Sequence, residues 1–201
     1  MAETQTNPLR IARLVLWALV FVAGIGATIV YFVLPPQQAG VSIGGSFDLA
    51  STEGGRFTNE DLNGIPSLMF FGYTFCPDVC PTTLADTAAW REALALTADD
   101  LRIIFVTVDP ERDDLHQLRT YLSLFSGEVI GLVGTPEETE EIKTAYGVFS
   151  EKVEDESASE YLVNHTASVL LIGANGGFEG TIAYGEDRET VLGKIRRLTG
   201  V

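Results

Sequence analysis

The longest apolar run in the chain fixes how the sequence is organised. Residues Leu14–Leu34 are 21 amino acids without a charged side chain. As an α-helix this run is about 31 Å long at ~1.5 Å per residue, close to the hydrocarbon thickness of a bilayer. A buried helix of a soluble core normally keeps a polar face, which this run lacks. We therefore predict a single transmembrane helix over residues 14–34.

A cleaved signal peptide is the alternative interpretation of this run. Its apolar segment would span only about 7–15 residues and end at an A-x-A-like site, whereas this run continues into Pro35-Pro36-Gln37-Gln38. Arg10 and Arg13 precede the run, and the positive-inside rule places that end in the cytoplasm. The expected order is a cytoplasmic segment (1–13), a helix in the inner (cytoplasmic) membrane (14–34), a linker (35–46) and a soluble domain on the periplasmic side (47–201).

The charge of the chain limits its partners. Lys and Arg number 13 against 28 Asp and Glu, which gives a formal net charge of −15. Residues 1–34 contribute +1, so residues 35–201 carry −16. Nucleic-acid binding requires basic contacts that release counterions, so nucleic acid is excluded as a partner. A cationic or metal-bearing partner suits such a surface.

Alternating strands and helices predict an α/β domain after the linker. Short apolar runs and turn signals place strands at 67–71, 102–108, 129–133, 167–173 and 177–183, after a small hairpin over 47–58. Helical spacing and capping residues place helices at 81–96 and 113–125, from Thr135 onward, and at 187–198. This order is compatible with a thioredoxin-like fold whose sheet is mostly parallel and ends in an antiparallel hairpin. The acidic stretch 151–160 is interpreted as a solvated loop.

Both cysteines of the chain lie in one C-x-x-x-C motif, from Cys76 to Cys80, at a predicted strand-to-helix junction. If Cys76 lies in the first helical turn, unpaired N–H groups and the helix dipole favour its thiolate. Residues four apart share a helix face, so the two sulfur atoms can bind one metal ion or form a disulfide. A purely structural disulfide is the alternative. So short a loop constrains the unfolded chain little, which favours a redox or metal site.

His165 is the candidate third ligand. It precedes the predicted strand 167–173, and in a thioredoxin-like fold the loop entering this strand faces the cysteine loop. Two thiolates suit Cu(I), and an added imidazole nitrogen suits Cu(II). The three residues together therefore predict a copper site. His116, the other histidine, is expected on the surface of a helix.

Acidic residues follow the second predicted buried strand. Asp109 ends that strand, at the edge where such sheets place their sites. It is a candidate carboxylate for tuning the metal or the thiols. Glu111 and Asp113 are interpreted as acids at the N-terminus of the next helix.

Five segments resemble the signature of the Sco/SenC family, in order and at the family's spacing. They are Gly72–Thr82, Thr107–Asp113, Gly134–Glu138, Ala145–Val148 and Val163–Thr166, and the resemblance covers roughly residues 42–200. Two positions depart from the family pattern: Asn164 stands where an acid is frequent, and Gly173–Gly176 replaces a more acidic turn. Neither departure affects a candidate ligand.

The resemblance implies a membrane-anchored copper chaperone with a thioredoxin fold. Its expected task is to assemble the dinuclear copper centre (CuA) of cytochrome c oxidase subunit II with copper taken from a donor. Cys76, Cys80 and His165 would be the copper ligands, and Asp109 matches a family aspartate near the site.

Two function classes remain open, and whether the chain is an enzyme remains open with them. The first is a metallochaperone that transfers copper to an acceptor. The second is a thiol–disulfide oxidoreductase in which Cys76 and Cys80 keep the acceptor's cysteines reduced; redox signalling is a weaker third reading. A peroxiredoxin-type peroxidase is disfavoured because Tyr73 stands where that class has a threonine, three residues before the cysteine. His165 separates the first two classes, since a dithiol reductase does not require it.

Overall fold

A computed structural model describes residues 8–33, 43–125, 128–153 and 161–201 of the chain. The chain divides into two compact units, residues 1–42 and 43–201. The first unit contains helix α1 (Pro8–Val33), whose described side chains are exposed, among them Leu14, Trp17 and Phe21. Within the described part of the chain, no helix has the length and apolar character needed to cross a membrane.

The predicted transmembrane span and linker fall partly outside the described residues. Residues 1–7 and 34–42 are not described, nor are the side chains of residues 29–33. The cytoplasmic segment, the transmembrane helix and the linker therefore stay predictions.

Among the residues described, the second unit contains four α-helices and nine β-strands. The helices are α2 (Val79–Ala93), α3 (Leu115–Leu122), α4 (Pro136–Ala145) and α5 (Arg188–Thr199). The strands are β1 (Asp48–Ser51), β2 (Arg56–Thr58), β3 (Ser67–Gly72), β4 (Arg102–Thr107), β5 (Val129–Val133), β6 (Ser150–Val153), β7 (Leu162–His165), β8 (Val169–Ile172) and β9 (Phe178–Ile182).

Seven of these strands form one sheet in the order β2-β1-β5-β4-β3-β8-β9. Only β3, β4 and β5 pair in parallel, and the strands flanking them pair antiparallel. The prediction of a mostly parallel sheet is wrong outside this centre, because the β1–β2 hairpin joins one side and the β8–β9 hairpin joins the other. Both hairpins were themselves predicted, and both are confirmed.

The core lies on both faces of the central strands. Every residue of β3 is buried, as expected for a strand covered on both sides, and Phe70, Phe71 and Phe105 are almost fully buried. Helix α4 begins with the predicted cap: the Thr135 hydroxyl accepts the Glu138 N–H, and the Glu138 carboxylate accepts the Thr135 N–H. This framework fixes the carboxyl end of β3, where the cysteine motif follows.

A third hairpin begins in the stretch that was predicted to be a solvated loop. Strand β6 pairs antiparallel with β7, and Ser150 lies opposite His165; residues 154–160 are outside the described part. The loop prediction is therefore wrong for residues 151–153. Their side chains are exposed, so they lack the alternating burial by which a strand is recognised. The β6–β7 hairpin is a two-stranded sheet separate from the seven-stranded one.

Candidate metal centre

The cysteine motif lies at the junction between β3 and α2. Helix α2 begins at Val79 with Asp78 at its N-cap, so Cys76 precedes the helix and Cys80 lies in its first turn. The expectation that Cys76 would lie in the first helical turn is therefore wrong, because the helix starts later. The predicted electrostatic effect is nevertheless present: the Cys80 backbone N–H, free of a helical partner, donates to Cys76 Sγ at 3.3 Å.

The structure brings the three predicted ligands together. The sulfur atoms of Cys76 and Cys80 and one ring nitrogen of His165 all lie within 4.8 Å of one another. Cys80 Sγ lies 3.4 Å from His165 Nε2, and both cysteines are free thiols. Cys80 is fully buried, whereas Cys76 and His165 are half-buried.

Hydrogen bonding determines which ring nitrogen of His165 faces the cysteines. Nδ1 lies 3.1 Å from the carbonyl oxygen of Thr166. A carbonyl only accepts, so Nδ1–H donates to Thr166, and Nε2 is the nitrogen that faces the sulfur atoms. The rings of Phe70 and Tyr73 meet the imidazole edge-on, with centroids 5.9 and 5.8 Å away. These contacts orient the imidazole so that Nε2 is the nitrogen available to a metal.

Gly72 is a site residue that the sequence reasoning missed. A Cβ atom at this position would lie 2.8 Å from Cys80 Sγ and 2.9 Å from Phe105 Cε2. Only glycine lets the end of β3 approach the buried sulfur this closely. A glycine that closes a buried strand often marks such an approach, and this was the available signal.

The two cysteines have opposite pKa shifts. A hydrogen bond from the Cys80 thiol lowers the pKa of Cys76 to about 4, helped by His165 and by the backbone N–H groups of Cys80 and Asp78, while desolvation opposes the shift. The hydrogen bond to Cys76 and burial raise the pKa of Cys80. The pair therefore shares one proton at neutral pH, with a thiolate on the more exposed Cys76 and a thiol on buried Cys80.

Asp113 anchors the loop that leads to Cys76. Its buried carboxylate accepts the Thr74 N–H at 3.0 Å, the Thr74 hydroxyl at 2.6 Å and the Thr107 hydroxyl at 2.6 Å. The interpretation of Asp113 as a helix N-terminal acid is wrong, because Asp114 is the N-cap of α3. Burial raises the pKa of Asp113, against the hydrogen bonds from Thr107 and Thr74.

Asp109 is buried next to the β6–β7 hairpin and is not one of the three clustered ligands. Its carboxylate accepts the Arg112 Nε–H at 2.6 Å and the Tyr161 hydroxyl at 2.8 Å. A tuning role for Asp109 stays a prediction.

Two other expectations concern α3. Glu111 forms a 2.6 Å ion pair with Lys152 of β6 and precedes the first turn of α3, which contains no acid, so its interpretation as a helix N-terminal acid is wrong. His116 is exposed on α3, which confirms its expected surface position.

Comparison with known proteins decides the family. A profile of the SCO1/SenC family matches residues 35–200. The chain belongs to the SCO1/SenC family. The mitochondrial SCO1 homolog 1 of Arabidopsis thaliana is 37% identical over 138 residues, which cover 68% of this chain and 41% of that relative. The chain thus matches less than half the length of this relative.

Solved structures of SCO1/SenC relatives share the fold. ScoI of Bradyrhizobium japonicum, solved with copper bound, is 37% identical with a TM-score of 0.71 and covers 78% of this chain and 99% of that one. ScoI of Arabidopsis thaliana, also solved with copper bound, is 34% identical with a TM-score of 0.70 and the same coverage. The predicted Sco/SenC resemblance and the thioredoxin-like α/β fold are confirmed.

Proposed function

We propose that this SCO1/SenC protein binds copper through Cys76, Cys80 and His165 and delivers it during cytochrome c oxidase assembly. The observation that carries the proposal is the convergence of two cysteine sulfur atoms and one imidazole nitrogen within 4.8 Å of one another. Two thiolates suit Cu(I), and the added nitrogen suits Cu(II). Relatives with the same fold have been solved with copper bound, which supports copper as the cargo. The proposed acceptor is the CuA site of oxidase subunit II.

The protonation state of the site fits metal capture. Cys76 is already a thiolate at neutral pH, and Nε2 of His165 already faces the sulfur atoms. Of the two cysteines only Cys80 must lose a proton, so binding of a metal by both sulfur atoms releases about one proton from the pair. Close packing of Gly72 against Cys80 then protects this ligand from water, while Cys76 stays accessible.

Thiol–disulfide exchange is the second candidate, and the opposite pKa shifts of the cysteines favour it. The Cys76 thiolate attacks an acceptor disulfide and forms a mixed disulfide, releasing one acceptor thiolate. Cys80 then loses its proton and attacks Cys76, which forms the Cys76–Cys80 disulfide and releases the second acceptor thiolate. The two electrons come from the cysteine pair, and the acceptor is reduced.

We further propose that residues 14–34 anchor the chain in the inner membrane, with the soluble domain, residues 47–201, on the periplasmic side. The uncharged run and the preceding Arg10 and Arg13 support this arrangement. The outward-facing apolar side chains of α1 are also consistent with it.

Replacement of His165 tests the copper function. His165→Ala removes the nitrogen and leaves both sulfur atoms, so the full chain should still bind Cu(I) and still form the Cys76–Cys80 disulfide. Its Cu(II) affinity should fall by roughly tenfold or more, since even groups that only support a ligand are worth ~10–100-fold. His116→Ala, on the exposed face of α3, is the matched control and should bind both ions normally.

Oxidase assembly in cells then separates the two candidates. If copper transfer is required, His165→Ala should abolish oxidase activity while its thiol chemistry in vitro is intact. Normal oxidase assembly in cells carrying this variant would reject the copper function and leave the reductase. Copper binding that is undiminished after full oxidation of the cysteines would remove them from the ligand set.

A further inference from the structure

The β6–β7 hairpin that carries His165 needs contacts from outside itself to hold its place. It is a separate two-stranded sheet; β6 is largely exposed, and Val163 is the one buried residue of β7. Two strands alone are marginally stable in water. Where the hairpin sits, and hence where His165 sits, therefore depends on the side chains that fasten it to the body of the domain.

Arg112 makes the most extensive of these contacts. Its guanidinium carbon lies 3.6 Å from the ring centroid of Tyr161, and its Nη1–H donates to the Tyr161 carbonyl at 3.0 Å. Its Nε–H donates to Asp109 at 2.6 Å, and Asp109 in turn accepts the Tyr161 hydroxyl at 2.8 Å. Arg112 and Asp109 thus hold both the ring and the backbone of the residue that enters β7.

Arg112 also lies close to the loop that carries Cys76. Its guanidinium carbon lies 4.8 Å from the ring centroid of Phe75, the neighbour of Cys76, and 5.7 Å from that of Tyr73. Arg112 therefore joins the hairpin to the loop before the cysteines. Tyr73 adds a second link, because its hydroxyl accepts the Val163 N–H at 3.2 Å and its ring contacts His165.

These contacts require an arginine. A guanidinium is planar, so it can stack on one ring while its edge donates to two acceptors in different directions. A lysine ammonium lacks both the plane and the fork. The matching partner, Asp109, has a fully buried side chain, so removal of the cation also leaves a buried carboxylate without its ion pair.

We infer that Arg112 is a positioning residue for His165, and that it decides whether a bound copper ion has two sulfur ligands or two sulfur ligands and a nitrogen. This inference rests on the proposed copper function. Arg112 contacts neither the metal nor the two cysteines in the proposal. It acts through Tyr161, which lies four residues before His165 at the end of β7.

The test compares the full wild-type chain with Arg112→Ala, Arg112→Lys and Arg119→Ala. Arg119 is the matched control, since its Nε–H also donates to a backbone carbonyl, that of Thr52, away from the hairpin. Each protein is titrated anaerobically with Cu(I) and with Cu(II) alone, and the Cu(II) spectrum is examined by electron paramagnetic resonance for nitrogen hyperfine coupling. Amide hydrogen exchange in β6 and β7 is measured on the metal-free proteins.

Arg112→Ala should lower Cu(II) affinity by ~10–100-fold, weaken the nitrogen coupling and leave Cu(I) binding intact. Exchange in β6 and β7 should accelerate by about tenfold or more, because the hairpin opens locally without its fastening. Arg112→Lys should resemble Arg112→Ala, and Arg119→Ala should resemble wild type. A merely structural role would not move the nitrogen coupling while sparing Cu(I).

Three results overturn the inference: wild-type nitrogen coupling in Arg112→Ala, full rescue by lysine, or loss of Cu(I) binding together with Cu(II). The last would mean that Arg112 supports the whole domain. A wild-type chain that binds no copper would instead refute the proposed function. In that case hydrogen exchange still tests whether Arg112 holds the β6–β7 hairpin in place. Unchanged exchange in β6 and β7 of Arg112→Ala would show that it does not.

Discussion

Replacement of Asp113 by alanine removes a buried acceptor from the loop that precedes the cysteines. Three donors lose their partner: the Thr74 N–H, the Thr74 hydroxyl and the Thr107 hydroxyl. The Thr74 hydroxyl is half-buried and can turn to water, which leaves two donors unsatisfied. At about 1–3 kcal/mol for each, less the benefit of removing a desolvated carboxylate, we expect a loss of about 2–4 kcal/mol in the free energy of unfolding.

The assay is thermal and guanidinium unfolding of the metal-free chain. At ~2–4 °C per kcal/mol for a domain of this size, the melting temperature should fall by about 5–15 °C. Asp114→Ala is the matched control, because Asp114 is an exposed N-cap whose loss costs only ~1 kcal/mol. Equal losses for Asp113→Ala and Asp114→Ala would refute the assignment of Asp113 as a buried anchor.

Four further outcomes are expected. Because burial raises the pKa of Asp113, the folded protein holds this proton more tightly than the unfolded chain. The free energy of unfolding of wild type relative to Asp113→Asn should therefore fall as the pH rises through that pKa. Denaturant unfolding at a series of pH values measures this difference, and a relative free energy that increases with pH would contradict the prediction. The rate at which iodoacetamide modifies Cys76, followed by mass spectrometry, should rise with pH around a midpoint of about 4, and Cys80 should stay unmodified. A midpoint of about 8.5, the ordinary pKa of a cysteine, would show that Cys76 is not a thiolate at neutral pH. Gly72→Ala should cost ~1–3 kcal/mol in denaturant unfolding through overpacking against the buried sulfur, and an unchanged midpoint would show that the close approach is relaxed cheaply. A reporter active only after export should be active when fused at Val201, whereas activity of a cytoplasm-only reporter there would reverse the proposed orientation.

The parts of the fold that were predictable are those whose signal is local. Strands β3 and β4 are apolar at nearly every position because both their faces are covered, so the sequence alone marks them. The α4 cap is equally local, since Thr135 and Glu138 lie three residues apart. By contrast, β6 is exposed and pairs with a strand beyond residues 154–160, so its neighbours in sequence carry no sign of it.

The candidate site also has a part that is predictable from local sequence and a part that is not. Cys76, Cys80 and His165 were predicted as ligands because thiols and imidazoles bind metals, and the residue type alone shows this. Asp113 and Arg112 were not, because their roles depend on partners 39 residues earlier and 49 residues later in the chain. A charge beside a predicted helix looks the same whether it faces water or a buried hydroxyl, and only the tertiary packing distinguishes the two.

The two sulfur atoms of the site differ in their access to solvent. Cys80 is fully buried against Gly72, whereas Cys76 is partly exposed. An incoming thiol therefore reaches Cys76 and not the buried Cys80. Under the proposed copper function, a protein that loads the site and a protein that unloads it would both approach from the Cys76 side, so they would compete for one surface and act in turn.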